Sequence, residues 1–206
     1  MSGFSDYTAL QATIARWAWR AGDADFEASI PDFIMLAETR LNDSLRVRPM
    51  EKQATITLTD GAGPLPADYL EFRDVLTTGS PAVVLGAVAP SFGDSQFPFG
   101  DGGDPAYFTI EGDTLRTFPR GNGDLLMSYY GKIPALSAGN PTNWLLERKP
   151  ELYLYGALIE AAPFMEEDAR LQTWTTLHDK ALNDLINTDV RARFARATRR
   201  TRYPTP

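Results

Sequence analysis

With 206 residues, 43% of them hydrophobic, the chain is long enough for one domain with a sizeable core, which excludes global disorder. No run approaches 18 apolar residues, and no basic segment precedes an apolar block at the N-terminus, so we expect neither a membrane span nor a signal peptide. The absence of cysteine excludes disulfides and thiolate metal sites and is compatible with a reducing cytosol.

The net charge of −7 is distributed unevenly along the chain. Residues 189–206 contain six arginines and one acid, a balance of +5, which leaves −12 for residues 1–188. An acidic body repels nucleic acid, whereas a short basic end can dock on an acidic partner or on phosphates. A frayed terminus that only aids solubility is the simpler alternative.

Residues 1–49 predict a pair of helices. The first runs from Tyr7 to about Arg20, and the second opens at Pro31, which suits a first helical turn because it lacks an N–H. Phe26 is expected to anchor the loop between them. The buried side of the second helix is predicted to hold Phe33, Ile34, Leu36, Ala37, Leu41 and Leu45.

The pattern of residues 50–138 predicts an inserted antiparallel β-domain. Apolar residues there recur at every second position, as in a strand, and no longer at the three-and-four spacing of a helix. Leu65–Leu70 is expected to form a short helical turn. The segment at 82–88 is expected to form a hairpin with the one at 71–78, and the strands together a meander. The predicted strands are Ala54–Thr59, Glu71–Thr78, Ala82–Val88, Tyr107–Ile110, Thr114–Phe118 and Asp124–Gly131.

Within this region, residues 91–105 are rich in Gly, Asp, Ser and Pro and show neither a helical nor a strand period. We expect a long surface loop, an unusual feature in a compact domain that is often functional. Its three aromatics, Phe92, Phe97 and Phe99, favour a contact surface. The alternative is a flexible tip, or a loop packed on its own side chains.

Residues 139–188 predict a second helix pair, followed by a basic tail at 189–206. Trp144-Leu145-Leu146 precedes Pro150, which is expected in the first turn of a helix extending to Phe164. A further helix is predicted from Glu166 to about Ala197, with apolar residues at spacings of three and four. The predicted fold class is therefore α+β: a helical bundle built from N- and C-terminal helix pairs with an inserted antiparallel β-domain.

No catalytic constellation is visible, so we expect no enzyme, no cofactor and no metal site. The single histidine, His178, lacks the partners that a metal ligand or a catalytic base needs. The acidic cluster Glu166-Glu167-Asp168 suits a helix N-terminus without a cation, and Asp101 and Asp104 lack the spacing of a calcium loop. Two carboxylates alone can catalyse glycoside hydrolysis, so this activity stays open as an alternative. The chain has 27 acidic residues, so the presence of such a pair neither supports nor excludes it.

Several strings, taken together, carry a family resemblance that spans nearly the whole chain. They resemble the head–tail adaptor (connector) proteins of tailed bacteriophages, of the tail tubular protein A type found in short-tailed phages. The strings are Ile30-Pro31-Asp32-Phe33-Ile34-Met35-Leu36-Ala37-Glu38-Thr39-Arg40-Leu41-Asn42, Leu65-Pro66-Ala67-Asp68-Tyr69-Leu70-Glu71, Tyr129-Tyr130-Gly131-Lys132-Ile133-Pro134-Ala135-Leu136, Asn140-Pro141-Thr142-Asn143-Trp144-Leu145-Leu146 and Leu152-Tyr153-Leu154-Tyr155-Gly156-Ala157-Leu158.

The resemblance implies a structural virion protein of the head–tail neck, made in the host bacterial cytoplasm. It implies a ring, expected to be a dodecamer, that sits beneath the portal protein, joins the DNA-filled capsid to the tail and continues the DNA channel toward the tail nozzle or tail tube protein. Genomic DNA would pass through this channel during ejection without specific binding, and no membrane is involved. An acidic body suits such a passage.

The resemblance also assigns roles to residues. The basic C-terminal segment is expected to contact the portal through Arg191, Arg193, Phe194, Arg196, Arg199, Arg200, Arg202 and Tyr203. The β-insertion is expected to contact the tail through Phe92, Phe97 and Phe99. Two alternatives stay open: a nucleic-acid-binding module that acts through the arginine-rich tail, and a carboxylate-based hydrolase.

Overall fold

A computed structural model describes residue 4 and residues 6–98, 102–165 and 169–194. It confirms the predicted α+β fold class. The chain divides into two compact units, a helical unit (Met1–Pro49 with Ile133–Pro206) and a β-unit (Met50–Lys132). The helices are α1 (Tyr7–Trp17), α2 (Ala24–Ser44), α3 (Pro90–Gln96), α4 (Trp144–Arg148), α5 (Pro150–Ala161) and α6 (Leu171–Phe194). The strands are β1 (Glu51–Leu58), β2 (Ala62–Pro64), β3 (Tyr69–Thr77), β4 (Gly86–Ala87), β5 (Tyr107–Glu111), β6 (Thr114–Phe118) and β7 (Gly123–Gly131).

Helix α5 forms the centre of the helical unit and packs against α1, α2, α4 and α6. Leu152, Tyr153 and Ala157 are fully buried on it. Gly156 lets α2 come close, because a Cβ at this position would lie 3.1 Å from Cβ of Ala37. As predicted, α5 begins at Pro150, whose missing N–H costs nothing in a first turn.

Helix α2 begins earlier than the sequence predicted. The Asp23 carboxylate accepts the Phe26 N–H at 3.2 Å and caps the helix, so Pro31 lies inside the helix instead of opening it. Phe26 is fully buried within the helix and packs against Phe33 and Phe164, instead of anchoring a loop. The prediction for Leu36 was also wrong, since it is 45% exposed on the outer face.

The segment that follows the β-unit is held onto the helical unit by buried polar groups. Glu38 on α2 is buried, and its Oε1 accepts the Leu136 N–H at 2.8 Å and the Tyr153 hydroxyl at 3.3 Å. The side-chain amide nitrogen of Asn143 donates to the Tyr153 hydroxyl oxygen and to the Pro134 carbonyl. The side-chain oxygen of Asn143, Oδ1, accepts the Leu146 N–H and so caps α4. This network fixes residues 133–143 against α2 and α5.

The β-unit contains two sheets, ordered β1-β7-β3 and β2-β6-β5-β4. The predicted meander is therefore wrong: β7 does not continue from β6 but lies antiparallel between β1 and β3. The predicted hairpin of 71–78 with 82–88 is reduced to one bridge, Leu76 to Val84, and β4 instead pairs parallel with β5. The helical turn predicted at 65–70 is replaced by a single turn, closed by the Tyr69 N–H and the Pro66 carbonyl at 2.9 Å, and β3 begins at Tyr69. Val75, Leu115 and Met127 are fully buried in the core of this unit.

In the ranges that the structure describes, no helix combines the length and the apolar character needed to cross a membrane.

Candidate interaction surfaces

The C-terminal end of α6 is the first candidate surface, because the predicted basic segment starts there. Helix α6 presents a buried stripe at spacings of three and four, which packs the helix onto α5. The stripe consists of Trp174, His178, Ala181, Leu185 and Asp189. A carboxylate at the end of an apolar stripe needs partners, since an unpaired buried charge is costly.

Asp189 has those partners. Its Oδ1 accepts from Nε of Arg48 at 2.7 Å, and its Oδ2 lies 3.4 Å from the Arg48 backbone N and 3.5 Å from a guanidinium nitrogen of Arg193. Burial raises the pKa of the Asp189 carboxyl, but the hydrogen bonds and charge of Arg48, followed by the charge of Arg193, outweigh burial and hold this pKa below its usual value. The clamp fixes the last turns of α6 to the segment that follows α2.

Replacing Asp189 with asparagine should loosen this clamp. We expect the free energy of unfolding at pH 7 to fall by about 1 kcal/mol, less than the roughly 1.5–3 kcal/mol typical of a hydrogen bond to a charged group, because solvent screens the exposed Arg48 side chain. Since the pKa of Asp189 is lowered in the folded state, its contribution is present above the usual aspartate pKa and is lost as pH falls through the folded-state value.

Urea unfolding at several pH values between 7 and 3 checks this prediction. Asp184→Asn is the matched control, because Asp184 lies on the exposed side of the same helix. An Asp189→Asn variant with the same stability and the same acid dependence as the wild type would contradict the clamp.

The structure describes the predicted portal-binding residues only in part. Arg191 is exposed on the last turn of α6, and Arg193 is half-buried and directed at Asp189. Phe194 ends the helix, and its side chain lies outside the described part. Their role as a contact surface stays a prediction. The others, Arg196, Arg199, Arg200, Arg202 and Tyr203, lie outside the described residues.

The second candidate surface lies on the β-unit, at residues 91–105. The prediction that this whole segment is a loop without regular structure is partly wrong. Its first half is helix α3, with Pro90 in the first turn. Helix α3 docks on the sheet through Gly93, where a Cβ would overlap the ring of Phe118. The composition of α3 predicts a loop, but this contact with β6 outweighs its low helix propensity.

The predicted aromatics occupy unequal positions on this surface. Phe92 is 43% exposed, and its ring meets Tyr107 edge-on with centroids 5.8 Å apart. Phe97 is half-buried between Tyr107 and Phe118, so it holds α3 in place rather than facing solvent. Phe99 lies outside the described residues. We call Phe92, Phe97 and Tyr107 the aromatic surface.

Arg116 on β6 fastens α3 beside the aromatic surface. Its guanidinium donates to both Glu111 carboxylate oxygens, at 2.7 and 2.9 Å, and to Oδ1 of Asp94 on α3 at 2.9 Å. It also lies over the Phe118 ring, 5.3 Å from the centroid. The hydrogen bond to Glu111 is the largest cause that raises the pKa of Arg116. The aromatic surface is thus presented on rigid elements.

Groups that could perform chemistry are sparse. Among the described residues, no group of three or more His, Asp or Glu side chains could hold a metal ion. His178 is buried against α5 with Nδ1 3.5 Å from Asp179, and its Nε2 has no hydrogen-bond partner. The acidic cluster 166–168 and Asp101 lie outside the described residues.

Comparison with known proteins decides the family. A family profile described as SU10 adaptor protein matches residues 5–202, nearly the full length of the chain. The chain belongs to the SU10 adaptor protein family. This is a family of phage head–tail adaptors, so the chain is a structural component of a tailed phage. No curated protein matches the chain in sequence.

Membership confirms the resemblance drawn from the sequence at the level of the adaptor role. A head–tail adaptor implies interaction with the portal and with tail components, and a place in the virion.

The chain has another exposed feature that sequence reasoning missed, at the end of α1. Residues 18–23 form the Trp19 turn, in which the Trp19 N–H bonds the Arg16 carbonyl at 3.2 Å and the Arg20 N–H bonds the Ala15 carbonyl at 2.9 Å. These two bonds define a Schellman motif with Trp19 at its left-handed position, φ 60°. Glycine is usual there, because a side chain costs about 1–2 kcal/mol in this conformation.

A cleft in the β-unit is the second feature that was missed. It measures about 630 Å³, within the range of ligand and peptide pockets. We call it the β-cleft. Its lining includes the apolar side chains Pro81, Val83 and Pro105 and the carboxylates Asp104 and Asp124. The lining residues are far apart in sequence, so no local pattern could have indicated the cleft.

Proposed function

We propose that copies of the chain assemble into a ring, expected to be a dodecamer, beneath the portal of a tailed phage. The ring joins the DNA-filled capsid to the tail and lines the channel through which DNA is ejected. The protein is made in the cytoplasm of the host bacterium and ends in the neck of the virion. The family match over residues 5–202 is the observation that carries this proposal.

The basic end, residues 189–206, is proposed to contact the portal. The Asp189 clamp fixes the start of this segment, so Arg191 is exposed at a defined end of α6. Residues 195–206 add four arginines and no acidic residue. Many copies that act together on one ring-shaped partner would convert weak individual contacts into stable docking.

The aromatic surface is proposed to contact the tail nozzle or tail tube protein. Phe92 and Tyr107 expose apolar area on a helix and a strand that Arg116 and Gly93 hold in place. Exposed aromatics on a rigid support lose little conformational entropy on binding, which favours their use in protein contacts.

Genomic DNA is proposed to pass the ring without specific binding. Residues 1–188 carry a charge of −12, which repels a polyanion, so a channel formed by this body would not retain DNA. The basic segment at residues 189–206 would then contact the portal protein and not the DNA.

Substitution of the exposed and terminal arginines tests the portal contact. In one variant Arg191, Arg196, Arg199, Arg200 and Arg202 become glutamine, while Arg193 is kept because it bonds Asp189. We expect binding to purified portal to weaken at least tenfold, with a smaller loss for the matched five-lysine variant, which keeps the charge.

Portal pull-down at two salt concentrations measures the effect. Unchanged portal binding in the glutamine variant would contradict the assignment of the portal contact. A loss confined to duplex DNA binding in a gel shift would instead favour the nucleic-acid-binding alternative.

A further inference from the structure

We propose that the Trp19 turn of one copy inserts into the β-cleft of a second copy, and that this contact repeats around the assembly. The inference rests on the proposed function, because a ring needs a contact between neighbouring copies. It names the two surfaces that meet, a tryptophan with its neighbouring arginine on one side and an acidic, partly apolar cleft on the other.

The Trp19 turn is built as a rigid support for an exposed aromatic side chain. Trp19 is 84% exposed, yet backbone hydrogen bonds from the N–H groups of Trp19 and Arg20 hold the turn around it. Arg170 donates to the Trp17 carbonyl at 2.9 Å, and the Gly22 N–H donates to the Glu27 carboxylate at 2.8 Å. The order of the turn therefore does not depend on packing of the indole.

Trp19 also contradicts the local rule for its position. The left-handed site of a Schellman motif favours glycine, and an exposed indole gains almost nothing from folding. Residues that break a local rule without compensation within the fold are expected at functional sites. Tryptophan and arginine are also the side chains most enriched among the residues that dominate binding energy at interfaces.

The β-cleft has the chemistry to receive this pair of side chains. Pro81, Val83 and Pro105 provide apolar walls for an indole, and Val83 is exposed. Asp104 offers a carboxylate to the Arg20 guanidinium, which forms a solvent-exposed ion pair with Asp23 of its own chain. Asp124 adds negative charge to the cleft, and its Oδ1 accepts from the Thr57 hydroxyl at 2.8 Å. The charges of the two surfaces are therefore complementary.

The symmetry of such a contact also favours a second copy as the occupant. The Trp19 turn and the β-cleft are different surfaces on the same chain, so their association is heterologous, head to tail. Heterologous contacts that close generate rings, whereas a self-complementary contact would stop at a dimer. Each copy would supply one turn and one cleft.

Cross-linking between engineered cysteines tests the contact directly, because the natural chain has none. Ala21→Cys lies next to Arg20 and leaves Trp19 intact, and Ser80→Cys lies on the β-cleft lining. Oxidation of a concentrated equimolar mixture of the two variants should give the 21–80 heterodimer. The matched control replaces Ala21→Cys by Thr8→Cys, which is exposed on α1. A 21–80 yield no higher than the 8–80 yield would overturn the proposal.

Trp19→Gly separates binding from folding. Glycine suits the left-handed backbone at this position, so we expect the melting temperature to stay the same or to rise. The yield of the 21–80 cross-link should fall at least tenfold when Trp19→Gly is added to the Ala21→Cys variant. An undiminished yield, or a marked fall in melting temperature, would overturn the inference, since Trp19 would then be dispensable for association or needed for folding.

Portal pull-down with Trp19→Gly distinguishes this inference from the proposed function. If the 21–80 cross-link does not form but the wild-type chain still binds portal, only the contact between copies is wrong. If Trp19→Gly abolishes portal binding and leaves the cross-link intact, the Trp19 turn belongs to the portal interface and the inference fails.

Discussion

Replacing Glu38 with alanine is expected to lower the free energy of unfolding by about 3 kcal/mol, because it leaves a buried N–H and a buried hydroxyl without an acceptor. These donors are the Leu136 backbone N–H and the Tyr153 side chain, which both reach Glu38 Oε1. In a chain of this length the melting temperature should fall by about 6–12 °C. Differential scanning calorimetry or urea unfolding measures the loss.

The conservative variant Glu38→Gln separates the effect of the Glu38 charge on stability from the effect of its hydrogen bonds. Burial raises the pKa of the Glu38 carboxyl, although the hydrogen bonds from Leu136 and Tyr153 oppose the shift. The Glu38 carboxyl therefore stays protonated to higher pH in the folded state than in the unfolded state. The contribution of Glu38 to wild-type stability should therefore be fully present below the usual glutamate pKa and should be lost as pH rises through the raised folded-state value.

Glutamine keeps an acceptor oxygen at this position but does not titrate. The Glu38→Gln variant should be more stable than Glu38→Ala. It should also lack the loss of stability that ionisation of Glu38 causes as pH rises. An alanine variant within 0.5 kcal/mol of wild type, roughly the range of surface substitutions, would show that the network does not hold residues 133–143 in place.

Replacing Gly93 with leucine should have an effect of similar size on the β-unit. Any side chain at this position overlaps the buried Phe118 ring, so α3 must move away from β6. Overpacking of this kind costs up to about 3 kcal/mol. The displacement would also separate Phe92 from Tyr107, so binding of the tail partner should fall together with stability.

Gly102→Ala is the matched control, because no atom lies within 4 Å of its Cβ position. Thermal unfolding and a pull-down with the tail nozzle or tail tube protein measure the two effects. A Gly93→Leu variant with wild-type melting temperature would show that the docking of α3 is not needed for stability.

Elements with strong local signals were predictable from the sequence. Helix α5 is apolar on most of its faces and has a proline in its first turn, and β1 alternates apolar and polar residues. Both signals act within a single element, so they hold whatever the rest of the chain does. The α+β fold class followed from the order of such elements.

Elements whose structure depends on distant residues were not predictable. Helix α3 forms because Gly93 fits against Phe118, and β7 lies between β1 and β3 because of pairings that span tens of residues. Pro31 gave a misleading signal, since the Asp23 cap starts α2 two turns earlier. A proline permits a helix start but does not impose one.

The candidate surfaces show the same division. The basic end was visible as a run of arginines, but the engagement of Arg193 by Asp189 depends on the packing of α6. Trp19 was missed, because its exposure and its left-handed backbone belong to the folded turn and leave no local pattern in the sequence. Sequence indicates which side chains are available, and tertiary structure decides which of them face a partner.

Electron microscopy of purified portal incubated with the adaptor is the most direct measurement of its role. We predict a closed ring of adaptor copies on one end of each portal, lost when residues 190–206 are deleted. Portals that remain bare with the full-length protein, or a ring that forms equally well without this basic end, would contradict a structural adaptor that docks through its C-terminus.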